Sequence, residues 1–279
     1  MKDSSDRLVW INGSVSAARD ATISAFDHAI TVGDGLFETI EATGGQAFAL
    51  GRHLARMRRS AAAMHIDPGY TDHELRVAID DVLRATPTDG LIRLTVSAGD
   101  GPLGSGRYEG ASTVIIATAP GKTWDATTDI VTVEWARNDL GALAGVKSTS
   151  YAENVLALRR ASAVGATEAI FPNTRGNLCE GTGTNIFIEF EGRLVTPPLS
   201  AGCLAGVTRE LLLEVIDVDE IDVPMAALHN TTEAFVTSTT RDVLAIAHVD
   251  GIALRSAPGP LTIAADEAFA ALKADHTDP

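Results

Sequence analysis

Lysine is scarce in this chain. It accounts for four of the 22 basic residues, at positions 2, 122, 147 and 273, and the rest are arginine. Basic residues are themselves outnumbered by 37 acidic ones, for a net charge of −15. Such a surface repels nucleic-acid phosphates and anionic membranes and disfavours both as partners. No run approaches the roughly 20 apolar residues of a membrane span. The opening MKDSSDRLVW lacks the apolar core of a signal peptide. Only two cysteines occur, Cys179 and Cys203, without metal-ligand spacing, so no metal is expected and one disulfide is allowed but unsupported. A cytoplasmic enzyme with reduced thiols fits these absences.

What is present is ample apolar material. The chain has 279 residues, 45% of them hydrophobic, a length natural for two domains of roughly 100–150 residues. LVWINGSV reads as a strand, an Asn12-Gly13 turn and a returning strand. LFETIEATGGQAFAL repeats that pattern around Gly44-Gly45. From Gly51 the period becomes helical, with Leu54, Met57, Ala61 and Met64 on one face. TDHELRVAIDDVLRAT is a second helix with Thr71 and Glu74 in a capping-box pattern. GLIRLTVSAG and STVIIATAP are strands flanking a glycine-rich loop. Pro120-Gly121 and WDATTD mark a linker, giving domains at 1–119 and 129–279 with residues 120–128 between them. The second half reads as strand IVTVEWA, helix AENVLALRRASAVGA, strands in EAIFPN, GNLCEGTGTNIFIEF and RLVTPP, helix AGVTRELLLEVI, and strand EAFVTSTTRDVLAIAHVDG. Without regular βαβ alternation, this order predicts an α+β architecture.

Against that background Lys147 stands out. It follows the small and apolar run Gly141–Val146 and leads into a helical pattern. One reading is a surface lysine at a strand–helix junction. The other is a Schiff-base lysine, because burial disfavours the charged form and makes the amine nucleophilic. Arginine does not lose its proton and cannot replace it. Four further segments carry similar pairs of readings. LAGVTREL (204–211) is a phosphate-binding helix start or an ordinary Thr N-cap. VTSTTRD (236–242) is a second face of a phosphate cup or a polar strand edge. Glu180 in CEGTGTNIF is a partner for a pyridine nitrogen or a solvated turn carboxylate. Arg56 beside an apolar stripe either snorkels or holds an anion.

Together GDGLFET, HLARMRRSA, the Lys147 segment, EAIFPNTRGNLCEGTGTNIFI, LVTPPLSAGCLAGVTR and FVTSTTRD resemble the class IV aminotransferases, the fold-type IV pyridoxal phosphate enzymes. That group includes branched-chain and D-amino acid aminotransferases, (R)-selective amine transaminases and aminodeoxychorismate lyases. The resemblance runs from WINGSV to about AHVDG. It implies that Lys147 is the catalytic, cofactor-holding lysine and that Glu180 faces the pyridine nitrogen. It further implies that Arg56, Val207, Thr208, Ser238 and Thr239 hold the phosphate and that Leu204 packs on the ring. Tyr151 resembles the tyrosine that branched-chain enzymes direct at the ring oxygen. Phe37, Arg93, Thr240 and Arg241 are the implied substrate contacts, and Arg137 is read as a surface ion pair or a carboxylate contact.

The resemblance also implies pyridoxal phosphate as cofactor, a homodimer, and small-molecule amino donors and 2-oxo acids as partners. The expected reaction is transfer of an amino group from a D-amino acid, or an (R)-amine, to a 2-oxo acid. Two alternatives stay open. Arg93 falls where aminodeoxychorismate lyases, which yield 4-aminobenzoate and pyruvate, carry a basic residue. Tyr151 favours a branched-chain L-amino acid enzyme. One segment departs from the bacillus-type D-amino acid enzymes: where those place Arg and His to hold the substrate carboxylate, SAGDGPLGSGR has Leu103 and Ser105, with Arg107 beyond.

Overall fold

The structure, a computed structural model, describes residues 7–86 and 89–279. The first six residues, with Lys2 and most of the MKDSSDRLVW segment, and residues 87–88 lie outside the described residues. The chain divides into two compact units. The first comprises residues to Lys122 together with Val146–Ser150 and Thr277–Pro279; the second comprises Thr123–Gly145 and Tyr151–His276. The stretch 120–128, read from sequence as a linker, holds the last residue of one strand and the first two of another.

In the first unit the strands are β1 (Leu8–Ile11), β2 (Ser14–Ala17), β3 (Gly35–Thr43), β4 (Gln46–Ala47), β5 (Gly90–Ser97) and β6 (Thr113–Pro120). They form one antiparallel sheet in the order β2-β1-β6-β5-β3-β4. A single turn, α1 (His28–Thr31), precedes β3; α2 (Leu50–Ala63) and α3 (Asp72–Ala85) cover one sheet face. The hairpin turns are legible in the backbone: Asn12 and Gly13, then Gly44 and Gly45, all adopt positive φ, as the twist of a two-residue hairpin requires. The Thr71–Glu74 capping box forms, its two side chains each accepting from the other's backbone N–H. Alternation along β3 places Leu36, Glu38, Ile40 and Ala42 on the face toward α2 and α3, and Phe37 and Thr39 on the other. Leu36 and Ile40 pack there with Leu54, Met57, Leu75, Ile79, Leu94 and Ile116. Each such side chain contributes about 1.5–3 kcal/mol by leaving water.

In the second unit the strands are β7 (Thr127–Thr132), β8 (Glu168–Pro172), β9 (Leu178–Gly181), β10 (Asn185–Phe190), β11 (Arg193–Thr196), β12 (Asp219–Glu220), β13 (Ala234–Ser238), β14 (Asp242–Val249) and β15 (Ile252–Ala253). Their order is β12-β11-β10-β13-β14-β7-β8-β9, with β15 on β14. The sheet is mixed: β7 runs parallel to both neighbours and β12 parallel to β11, while the other pairs are antiparallel. Helices α4 (Ala152–Ser162), α5 (Val207–Val215) and α6 (Pro260–Asp275) flank it. The sequence reading assigned no element to the α6 stretch. The helix is started by Pro260 in its first turn and by the buried Glu233 carboxylate, which accepts the N–H groups of Leu261 and Thr262. Both units mix helices with largely antiparallel strands, the α+β class expected.

Candidate active site

In the first unit the site is built around the start of β3. Val146–Ser150 runs antiparallel beside it: the Lys147 carbonyl accepts from Phe37 N–H at 3.0 Å, and Thr149 N–H donates to the Gly35 carbonyl at 2.8 Å. Ser150 Oγ and Thr149 Oγ1 both donate to the Gly33 carbonyl at 2.9 Å. Glycine is needed on both sides of this turn. Gly33 has φ +70°, and a Cβ on Gly35 would lie 2.8 Å from the Val96 carbonyl oxygen. The result is a fixed, half-buried Lys147 whose Nζ stands 4.5 Å from the centroid of the Phe37 ring. The Arg93 guanidinium lies 3.9 Å from the same centroid. Lys147, Phe37 and Arg93, singled out from sequence, are therefore brought together.

Arg56 is placed differently from a side chain that snorkels. It is 5% exposed and forks onto the carboxylate of Glu38, with Nε at 2.9 Å and Nη2 at 2.5 Å. His53 Nδ1 meets the same carboxylate at 2.8 Å. Burial pushes the Glu38 carboxyl up, but the Arg56 charge and hydrogen bonds, with those of His53, outweigh it and hold the group at about 2. Neither Glu38 nor His53 was found from sequence. The available signal was an acid in the apolar phase of β3, facing a helix with His and Arg three residues apart.

Arg107 is fully engaged inside this unit. It forks Asp34 at 2.7 and 2.6 Å and donates to the Met64 and His65 carbonyls at the end of α2. His28 completes that cluster, between Asp34 and the Pro102 carbonyl.

In the second unit Glu180 lies on β9 with a carboxylate 12% exposed. Its Oε1 pairs with Arg137 Nε at 2.9 Å, and its Oε2 accepts from Leu204 N–H at 2.8 Å. Arg137 is thus no surface ion pair. Its side chain is 16% exposed, lies 4.2 Å from the Phe171 ring centroid and donates to Asn154 Oδ1 at 3.0 Å. Asn154 belongs to α4, whose N-cap residue is Tyr151, and it bonds the Thr182 carbonyl in turn.

Leu204 leads to the start of α5. Asn185 Nδ2 donates to the Leu204 carbonyl at 2.9 Å, and a Cβ on Gly206 would lie 2.0 Å from Asn185 Oδ1. Asn185 pairs across the sheet with Thr237, the residue before Ser238. The α5 N-terminus, with Val207 and Thr208 buried in its first turn, is in this way held beside the β13 end that carries Ser238, Thr239 and Thr240. No side chain caps α5, and its first backbone N–H groups have no partner within the helix. Ser238 Oγ and Thr240 Oγ1 are 3.2 Å apart. Backbone donors, a helix dipole and clustered hydroxyls suit a phosphate monoester, and the Glu180 carboxylate, fixed by Arg137 and the Leu204 N–H, suits a protonated ring nitrogen. A phosphorylated pyridine cofactor fits this donor set.

Arg241, expected at the substrate, is engaged within the second unit. Nη2 donates to the Thr167 carbonyl at 2.8 Å, Glu168 is 3.5 Å away, and the guanidinium covers the Trp124 ring at 4.0 Å. Glu168 in turn accepts from Thr182 and Thr184 and braces the turn after Glu180. Cys179 and Cys203 are both free and buried. Burial raises both thiols, that of Cys203 to about 12, so neither is a ready nucleophile. Among the described residues no group of His, Cys, Asp and Glu could hold a metal ion, and no helix is long and apolar enough to cross a membrane.

Comparison with known proteins converges on one family. Residues 35–249 match the family model described as amino-transferase class IV. A protein of Methanocaldococcus jannaschii, provisionally named a branched-chain-amino-acid aminotransferase, is 34% identical over 87% of this chain and 88% of its own. The D-alanine aminotransferase of Bacillus licheniformis is 29% identical over 91% and 93%. Among solved structures, a T.th. branched-chain amino acid aminotransferase in complex with N-(5'-phosphopyridoxyl)-L-glutamate superposes with a TM-score of 0.87 at 25% identity, covering 95% of this chain and 93% of that one. This chain belongs to the class IV aminotransferases, enzymes whose cofactor is pyridoxal phosphate.

Proposed function

We propose that the chain moves an amino group from a D-amino acid to a 2-oxo acid, with (R)-amines as further donors. The observation that carries the reading is the fixed, half-buried Lys147, whose amine stands 4.5 Å from the Phe37 ring centroid. Lys147 Nζ would hold the cofactor through its aldehyde, condensing with it and releasing water. Once free, its amine would take the proton from the substrate Cα and deliver it to the aldehyde-derived carbon of the cofactor, on the far side of the nitrogen between them. Arg93 holds the substrate carboxylate, and Phe37 and Thr240 shape the pocket. When bound, pyridoxal phosphate supplies a conjugated ring that takes up the electron pair left by the broken Cα–H bond.

Glu180, held in place by Arg137 and the Leu204 N–H, would keep the ring nitrogen protonated. Leu204 packs against the ring, and Tyr151 donates to its oxygen. Val207 and Thr208, through the α5 N-terminus, join Ser238, Thr239 and Arg56 in holding the phosphate. The same reading makes the enzyme a cytoplasmic homodimer.

The TSTTRD segment (237–242), which resembles the aminotransferases and lacks the Asn of the lyases, supports a transaminase over a lyase, and the 29% identity to a D-alanine aminotransferase supports the D-amino acid assignment. A branched-chain L-amino acid reading is supported by Tyr151 and by the 34% identity to the archaeal relative. A lyase reading rests on Arg93.

A half-reaction separates them. The pyridoxal phosphate form is mixed with D-alanine, L-leucine, (R)-1-phenylethylamine or aminodeoxychorismate, and conversion to the pyridoxamine form is followed by absorbance. Conversion with D-alanine or the amine supports the proposal. Conversion with L-leucine alone replaces it with the branched-chain reading. Release of 4-aminobenzoate and pyruvate without a 2-oxo acid acceptor replaces it with the lyase. A monomeric mass with full activity would remove the dimer.

A further inference from the structure

The first unit carries an ionic cluster to which the transamination steps give no role. Glu38 is fully buried on the helix-facing side of β3, where each carboxylate oxygen meets one nitrogen of Arg56. His53 adds a contact of 2.8 Å to Oε2. His53 and Arg56 are three residues apart on α2 and project from one face. The side chains of all three are at most 6% exposed. A cation that deep is tolerated only beside a fixed counter-charge. The two-point fork sets the plane of the guanidinium as well as its charge. His53 is held neutral, first by burial and further by the charges of Arg56 and Lys147, against the pull of Glu38. A neutral imidazole steadies the carboxylate without adding a second buried cation beside it.

We infer that Glu38, steadied by His53, is a positioning residue for cofactor binding: it orients the Arg56 guanidinium that meets the cofactor phosphate. This rests on the assignment of Arg56 to the phosphate made above. Glu38 touches neither cofactor nor substrate and acts through Arg56 alone.

The test compares pyridoxal phosphate with pyridoxal, which lacks the phosphate. It uses the wild type, Glu38→Gln, Glu38→Asp, Arg56→Met and the double variant Glu38→Gln/Arg56→Met. Affinity is read from the absorbance of aldehyde bound at Lys147, with a circular dichroism melt of each cofactor-free protein as a folding control. Glu38→Gln is expected to weaken pyridoxal phosphate by about 10- to 100-fold, the range for residues standing behind a primary ligand, and to change pyridoxal by less than about twofold. Glu38→Asp, which keeps the charge on a shorter arm, is expected to show a smaller loss with the same phosphate dependence. In the Arg56→Met background Glu38→Gln is expected to add nothing. The double variant also guards against misfolding, since removing both members of a buried pair is better tolerated than removing one.

Equal losses for the two aldehydes overturn the inference, as does a Glu38→Gln loss that persists in full without Arg56. A wild type with no preference for the phosphorylated aldehyde refutes the Arg56 assignment and the inference with it. A wild type that binds neither aldehyde at Lys147 refutes the functional reading itself, a result distinguishable from both.

Discussion

Replacing Gly206 by alanine tests whether one buried amide fixes the start of α5. The backbone there is ordinary, φ −66° and ψ 137°, so the glycine is not required for conformation. It is required for space: a Cβ would stand 2.0 Å from Asn185 Oδ1. Asn185 is 5% exposed, and moving its amide breaks the 2.9 Å bond to the Leu204 carbonyl. Losing that bond costs about 1 kcal/mol, and forcing a methyl into filled space about 1–3 kcal/mol. Gly206→Ala should therefore destabilise the cofactor-free protein by about 2–4 kcal/mol. Urea unfolding measures this. Displacing the first N–H groups of α5 should also weaken pyridoxal phosphate more than pyridoxal. Asn185→Ala removes the obstructing atom, so in that background Gly206→Ala should add only roughly 0.5–1.5 kcal/mol, the preference for Gly over Ala at an N-cap. Unchanged stability in the single variant, or full additivity in the double, would show that this contact does not set the helix start.

Lys147→Arg keeps the charge but not the ability to lose a proton, and should slow the half-reaction by at least about 100- to 10,000-fold; appreciable single-turnover conversion would remove Lys147 from proton transfer. Glu180→Gln keeps an acceptor for the Leu204 N–H but leaves Arg137 with the exposed Glu153, at 4.0 Å, as counter-charge, so both the melting temperature and the half-reaction rate should fall; a variant with the wild-type rate would break the link to the ring nitrogen. Arg107→Met leaves Asp34 with His28 as its remaining side-chain partner and the Met64 and His65 carbonyls without their Arg107 donor, for a loss of about 1–3 kcal/mol in urea unfolding; no loss would mean that this clamp carries no stability. Acid should act through the Glu38 cluster in two windows. Below about 6.5 an unfolded chain protonates His53 while the folded one resists, and below about 4.5 the unfolded chain protonates Glu38 while the folded carboxyl waits until about 2. Stability from the cluster is therefore present above those values and lost as pH falls, by about 3 kcal/mol for Glu38. The stability gap between wild type and Glu38→Gln/Arg56→Met, measured at pH 7.5, 5.5 and 3.5, should move against the wild type with acid, and a pH-independent gap would contradict the assigned burial of charge.

Much of the fold was legible because it is written locally. Asn12-Gly13 and Gly44-Gly45 announce hairpins through the positive φ that their turns demand, and Thr71 with Glu74 announces a helix start that forms as read. Pairings over long sequence separation leave no such mark. Val146–Ser150 joins the first unit through backbone bonds to Gly35 and Phe37. The last three residues join it through Ala49 N–H on the Thr277 carbonyl and Arg52 on the Pro279 carbonyl. Neither segment carries a local period that names its neighbours. The α6 stretch was missed for a different reason: Leu261, Ala265, Phe269 and Leu272 share one face, but Ile263 and further alanines on the other faces blunt the contrast that marks an apolar stripe.

The site shows the same division more sharply. Lys147 was conspicuous because its residue type is rare and its chemistry excludes arginine, an argument that needs no partner. Glu38 sits beside Phe37, and a strand that alternates aromatic and acid suggests one face for ligand and one for solvent. The register reverses that: Leu36, Glu38, Ile40 and Ala42 are the apolar phase, and the acid lies within it. An acid in that phase cannot remain ionised unless a cation is delivered to it, and the two candidates, His53 and Arg56, are spaced to share one face of the covering helix. The pattern was therefore readable in principle from phase and spacing together. It stayed hidden because each half has a bland explanation alone, the acid as a surface residue and the arginine as one that snorkels. Only the pairing of β3 with α2 makes both explanations fail at once, which is why the same pairing that hides the cluster in sequence supplies the double-variant test of what it does.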